Sequence, residues 1–140
     1  MASSKVSSNV PIDKIISVQS FETDGKLKLL RGYSGGGFQV NDEFVTGSII
    51  LHPREIHTCP VSDASQLSHD LLEPHLNVVK PDMVLIGVGG NPTHLYQPIR
   101  DYFKQLAVGV DIMSTSSACR TWNVLLSEGR QVVSCLIAIT

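Results

Sequence analysis

Charge is scarce in this chain. Of its 140 residues, 17% are Asp, Glu, Lys or Arg, and together they sum to −2. A surface this sparsely charged and nearly neutral carries no basic patch for nucleic acid and no pull toward acidic membranes. Long apolar runs are also missing. The strongest, Val132 to Ile139, is short and broken by Ser134, whereas a membrane-spanning helix needs about 20 residues. The chain is therefore not expected to span a membrane. With 42% apolar residues it is still long enough to bury roughly two thirds of its unfolded surface in one domain.

Paired cysteines are absent as well. Cys59, Cys119 and Cys135 are odd in number and contain no CxxC, which argues against a disulfide framework or a zinc knuckle and suits a reducing compartment. His52, His57, His69, His75 and His94 show no HxH, HxxxH or HExxH spacing, so local spacing supports no metal site. No GxSxG elbow is present. Ser34-Gly35-Gly36-Gly37 lacks the GK[ST] ending of a phosphate loop and reads as a turn or bulge before a strand. Gly87-Val88-Gly89-Gly90-Asn91-Pro92 places proline where a dinucleotide fingerprint needs glycine. No cofactor is expected.

Met1 to Val10 is serine-rich, with one lysine, no arginine and no apolar core. It resembles neither a secretory signal nor a mitochondrial transit peptide. Residues 1–12 are expected to be a disordered tail, and residues 13–140 a single α/β domain. The first half reads as antiparallel strands: Ile15–Phe21 ending at Asp24-Gly25, a hairpin of Phe38–Val40 and Phe44–Thr46 around Asn41-Asp42-Glu43, then Ser48–Leu51.

The second half alternates strand and helix. A strand near Ile56–Val61 leads to a helix at Ser65–Leu76, with Pro74 predicted to distort it or end it early. Pro81–Gly87 reads as a strand buried on both faces. Pro98 suits a first helical turn, with Ile99, Tyr102, Phe103 and Leu106 forming an apolar stripe. Val108–Met113 reads as another buried strand, Ser117–Ser127 as a helix capped by Ser116 or Ser117 and closed by Gly129, and Gln131–Ile139 as the final strand. The whole predicts an α/β fold with a mixed sheet, helices and antiparallel N-terminal strands.

Ser116–Asn123 carries the most chemistry. A thiol, a guanidinium and a carboxamide sit in the first turns of a helix fed by a strand, where free N–H groups and the macrodipole point. Arg120 opposes that dipole and calls for an anionic partner: Asp82, Asp111 or an external anion. Cys119 could be activated by the dipole and Arg120, but no CX5R loop follows, since Leu125 stands six residues on. It reads more simply as a small buried hydrophobe. Trp122 is placed as a core anchor, and Asn123 as a bond to a neighbouring loop. If the flanking strands are parallel and adjacent, Gly87 and Gly89 share a crevice with Ser117, Cys119, Arg120 and Asn123. These six residues are the candidate pocket or partner contact.

Three segments carry a family likeness: FQVNDEFVTGSIIL from Phe38, PDMVLIGVGG from Pro81, and VDIMSTSSACRTWNVLLSEGRQVVSCLIAI from Val110. In this order they resemble the small α/β family that includes mitochondrial complex I assembly factor 3 and its bacterial, archaeal and adipogenesis-associated relatives. The resemblance implies a three-layer α/β fold around a mixed sheet. It also implies a chaperone-like assembly or adaptor role, without an established reaction, in building respiratory NADH:ubiquinone oxidoreductase. The implied partners are other assembly factors or subunits of that complex, and the implied address is mitochondrial, the chain being otherwise cytoplasmic; a homo-oligomer is compatible with it. The rival reading is a small-molecule or anion-binding protein, or a thiol-dependent enzyme, using the crevice.

Overall fold

The computed structural model describes residues 25–90 and 96–139. The expected tail, the strand at Ile15–Phe21 and the stretch from Asn91 to His94 lie outside the described residues. Strands β1 (Leu30–Gly32), β2 (Gly37–Val40) and β3 (Glu43–Thr46) form an antiparallel meander. Val40 pairs with Glu43, so the hairpin closes on Asn41-Asp42, with Asn41 at φ 52. Asparagine tolerates that left-handed conformation and is favoured in such turns. Its side chain also accepts from Leu29 N–H at 3.1 Å and donates to Leu27 C=O at 3.0 Å. Gly37 is obligatory, because a Cβ there would stand 2.3 Å from the Val45 carbonyl oxygen.

Gly47, at φ 88, turns the chain out of this small sheet. The next strand, β4 (Ile49–His52), belongs to a second sheet and is not a resumption of β3. That sheet has five strands, adding β5 (Glu55–Thr58), β6 (Met83–Gly87), β7 (Gly109–Met113) and β8 (Val132–Leu136), in the order β5-β4-β8-β6-β7. β8 lies at its centre, antiparallel to β4 and parallel to β6, while β7 pairs in parallel with β6. β6 is buried as the sequence predicts. β7 is not: it is an edge strand, and Gly109 and Asp111 are exposed.

The described residues form three α-helices, α1 (Glu73–Val79), α2 (Gln97–Gln105) and α3 (Thr115–Ser127). The predicted helix at Ser65–Leu76 is instead two short 3-10 turns, Ala64–Gln66 and His69–Leu71, followed by α1. Pro74 therefore starts a helix where it was predicted to interrupt one, occupying a position whose missing N–H costs nothing. Pro98 does the same for α2. Ile99 and Phe103 face the core, but Leu106 falls at the helix end and is exposed.

Two apolar clusters fill the space on either side of the large sheet. One joins Val132, Leu136 and Leu85 to Phe38, Val40 and Val45 of the small sheet and to Ala118, Cys119, Trp122 and Leu126 of α3. The other joins Val133, Cys135, Val84 and Ile86 to Leu72, Ile99 and Phe103. Adjacent residues of β8 thus feed opposite faces, as the two-residue period of a strand requires. Each valine, leucine, isoleucine or phenylalanine among them contributes roughly 1.5–3 kcal/mol on burial. The architecture is the predicted three-layer α/β fold: helices, mixed sheet, then α3 beside an antiparallel sheet. Among the described residues, no helix is long and apolar enough to cross a membrane.

Candidate functional site

The α3 start and the β6 exit are stitched together by Thr115. Its N–H donates to Gly89 C=O at 2.8 Å, its hydroxyl accepts from Gly89 N–H at 2.9 Å and donates to Ile137 C=O at 2.8 Å. Thr115 is fully buried. Helix α3 consequently begins earlier than predicted, with Ser114 as its cap accepting from Ser117 N–H at 3.3 Å. Gly87 is closed in: a Cβ would lie 3.0 Å from Leu136 Cδ2, 3.0 Å from Thr115 Cα and 3.1 Å from Ala118 Cβ. Gly89, at φ 95, has open space where a side chain would be.

The six candidate residues do different things. Cys119 is buried, and desolvation pushes its thiol up to about 12 despite the opposing effect of Arg120; it holds no thiolate at neutral pH. Arg120 is exposed and donates to the Ser117 hydroxyl at 3.3 Å. Asp82, one of the three partners expected for it, pairs with Arg130 at 3.5 Å. Asn123 clamps β1, accepting from Leu30 N–H and donating to Leu30 C=O, both at 2.8 Å. Trp122 is fully buried and donates from Nε1 to Lys28 C=O at 2.7 Å.

On the opposite face of the sheet, three elements bring three imidazoles together. His52 comes from β4, His57 from β5 and His75 from α1. Ring centroids are 4.5, 4.9 and 4.9 Å apart, and one ring nitrogen from each lies within 4.8 Å of the other two. His52 Nε2 and His75 Nδ1 share a hydrogen bond of 2.7 Å. Glu55 Oε1 accepts from His57 Nε2 at 2.9 Å and lies 3.5 Å from His52 Nδ1. Burial first, then the neighbouring imidazoles, lowers His52 to about 4; burial and His57 lower His75 to about 4. Both rings are neutral at physiological pH.

Beside them opens a cavity of about 400 Å³, lined among others by Thr58, Asp70, Leu71 and Val78. Spacing along the chain hides this cluster, but one signal was available. Reading Pro53-Arg54 as a two-residue hairpin loop pairs His52 with Glu55 and Ile50 with His57, placing His52 and His57 on one face as diagonal neighbours.

Residues 30–137 match the model of a family described as proteins of unknown function (DUF498/DUF598). The chain belongs to this family. Its likeness to DUF498/DUF598 proteins extends to individual relatives. It is 34% identical over 126 residues to the Drosophila melanogaster protein named NADH dehydrogenase [ubiquinone] 1 alpha subcomplex assembly factor 3, covering 86% of this chain and 64% of the fly protein. The human protein of that name is 28% identical, with 75% and 58% covered. The chain thus spans less than two thirds of the assembly factors' length. An uncharacterised Rhodobacter capsulatus protein is 31% identical, with 76% and 81% covered.

Among solved structures, a Bartonella henselae protein titled an outer membrane protein superposes with a TM-score of 0.74 at 30% identity, covering 85% of this chain and all of the other. A Bordetella pertussis Mth938-like domain superposes at 0.70 with 22% identity, covering 84% of this chain and 90% of that one, and supports the fold alone.

Proposed function

We propose that this chain is a non-enzymatic, chaperone-like assembly or adaptor protein acting in mitochondria while respiratory NADH:ubiquinone oxidoreductase is built. The observation carrying this reading is the 34% identity to a protein named as such an assembly factor, across 86% of the chain. The chemistry at α3 is compatible with it: Cys119 is buried with a raised pKa, while Trp122 and Asn123 hold backbone of the N-terminal segment.

What remains outward on α3 is a short exposed stripe. Arg120 and Val124, one turn apart, are both exposed, Val124 at 54%. An arginine beside an apolar side chain is suited to a partner surface, and α3 would present it to an assembly factor or a subunit of the complex. Affinity capture of the full-length protein from respiring cells tests the reading. It should recover subunits or assembly factors of the complex, and the double variant Arg120→Glu with Val124→Asp should lose them while its circular dichroism is unchanged. Recovery of neither class by the unaltered protein would sink the assembly role.

A further inference from the structure

We propose that His52, His57 and His75 form a binding site for a divalent transition-metal ion of the zinc class, with a fourth position open to the adjoining cavity. This inference is independent of the assembly role. Three imidazoles are a donor set for zinc and its neighbours, whereas magnesium and calcium call for oxygen.

The hydrogen bonds sort the six ring nitrogens. Glu55 Oε1 takes His57 Nε2–H at 2.9 Å and faces His52 Nδ1 at 3.5 Å. That bond makes His57 Nδ1 the unprotonated atom of its ring, and the nearby carboxylate favours a proton on His52 Nδ1, which leaves His52 Nε2 to accept. A carboxylate behind a ligating histidine is the usual outer support of a zinc site. His57 Nδ1 is moreover buried without a hydrogen-bond partner among the described residues, a cost that donating its lone pair to a cation would remove.

His75 supplies the third nitrogen. With His52 protonated on Nδ1, the 2.7 Å contact is His75 Nδ1–H donating to His52 Nε2. A metal between them needs His75 in its other neutral tautomer, its proton moved from Nδ1 to Nε2, with no net change of charge on the three rings. Zn–N bonds of about 2.0–2.1 Å in tetrahedral geometry set N···N edges of roughly 3.3–3.4 Å. The short 2.7 Å edge must therefore open by several tenths of an ångström, and edges toward the 4.8 Å limit must close. Side-chain rotation supplies such shifts. Three protein ligands plus one position facing a cavity of about 400 Å³ is the arrangement that leaves room for water or a small ligand on the metal.

The test uses the full chain without a histidine tag, stripped with EDTA and titrated with Co²⁺ and then Zn²⁺. The expected result is one equivalent of Co²⁺ giving tetrahedral d–d bands without thiolate charge transfer, and its displacement by Zn²⁺. His57→Ala and, separately, His75→Asn should each weaken binding at least tenfold with far-UV circular dichroism unchanged, and Glu55→Gln should weaken it about 10–100-fold. The proposal is overturned by an unaltered protein that takes up no stoichiometric metal, by a thiolate band, or by folded His57→Ala binding as tightly as the parent.

Discussion

At the scale of single residues, the three cysteines separate by surroundings. Cys119 is held up to about 12 by desolvation, and Cys135 is raised by its hydrogen bond with Cys59 and by burial, whereas that same bond lowers Cys59. Iodoacetamide on the native protein should therefore mark Cys59 before the other two, as peptide mass mapping would show; a faster Cys119 would contradict the buried-thiol assignment. The Cys119 shift also has a consequence for stability. Its folded pKa lies above its unfolded value, so between about pH 9 and 12 the unfolded state has lost the proton that the folded state keeps. Stability must fall as pH rises through that window and be untouched below it. Urea midpoints of the parent and Cys119→Ala across that range should converge as pH rises.

Among the elements, α3 shows what sequence can and cannot locate. Its body was legible from Val124-Leu125-Leu126, although Val124 proves exposed, and its end from Gly129, at φ 74. Its start was not, because Ser114-Thr115-Ser116-Ser117 offers four hydroxyls in a row, each able to cap. The choice of Ser114 follows from Thr115 turning inward to bind Gly89 and Ile137, a long-range fact. Asn123 fastens this helix to β1 with two 2.8 Å bonds. Asn123→Ala should cost about 1–3 kcal/mol by leaving Leu30 backbone groups unpaired, with faster hydrogen exchange at Leu30 as the local signature. In the small sheet, Gly37→Ala should be more damaging still, because the added methyl meets the Val45 carbonyl at 2.3 Å. The β2–β3 pair must separate, and a lowered melting temperature with loss of strand signal would report it.

For the molecule as a whole, alternation of strands and helices was enough to predict an α/β fold with a mixed sheet, because each strand and helix stripe must be buried somewhere, whereas the three layers were implied by the family resemblance. The histidine cluster was not legible from spacing, since it needs the β4–β5 register and the docking of α1 together. If it holds zinc, the metal stabilises the entire fold by mass action, by about 2.7 kcal/mol at a free concentration one hundred times Kd. Thermal melts should rise with Zn²⁺ in the parent and stay flat in His57→Ala.

The central place of β8 bears on how the protein is made. β4 and β5 are synthesised early, β6 and β7 later, and the two pairs are joined only through a strand at Val132–Leu136. While a ribosome is still producing the chain, both pairs carry an open edge that only the last of these strands can close. Such long-range closure slows folding, and unpaired edges in the meantime invite association with other chains. Emergence of Val132–Leu136, more than any local nucleus, is the event that lets this sheet become continuous.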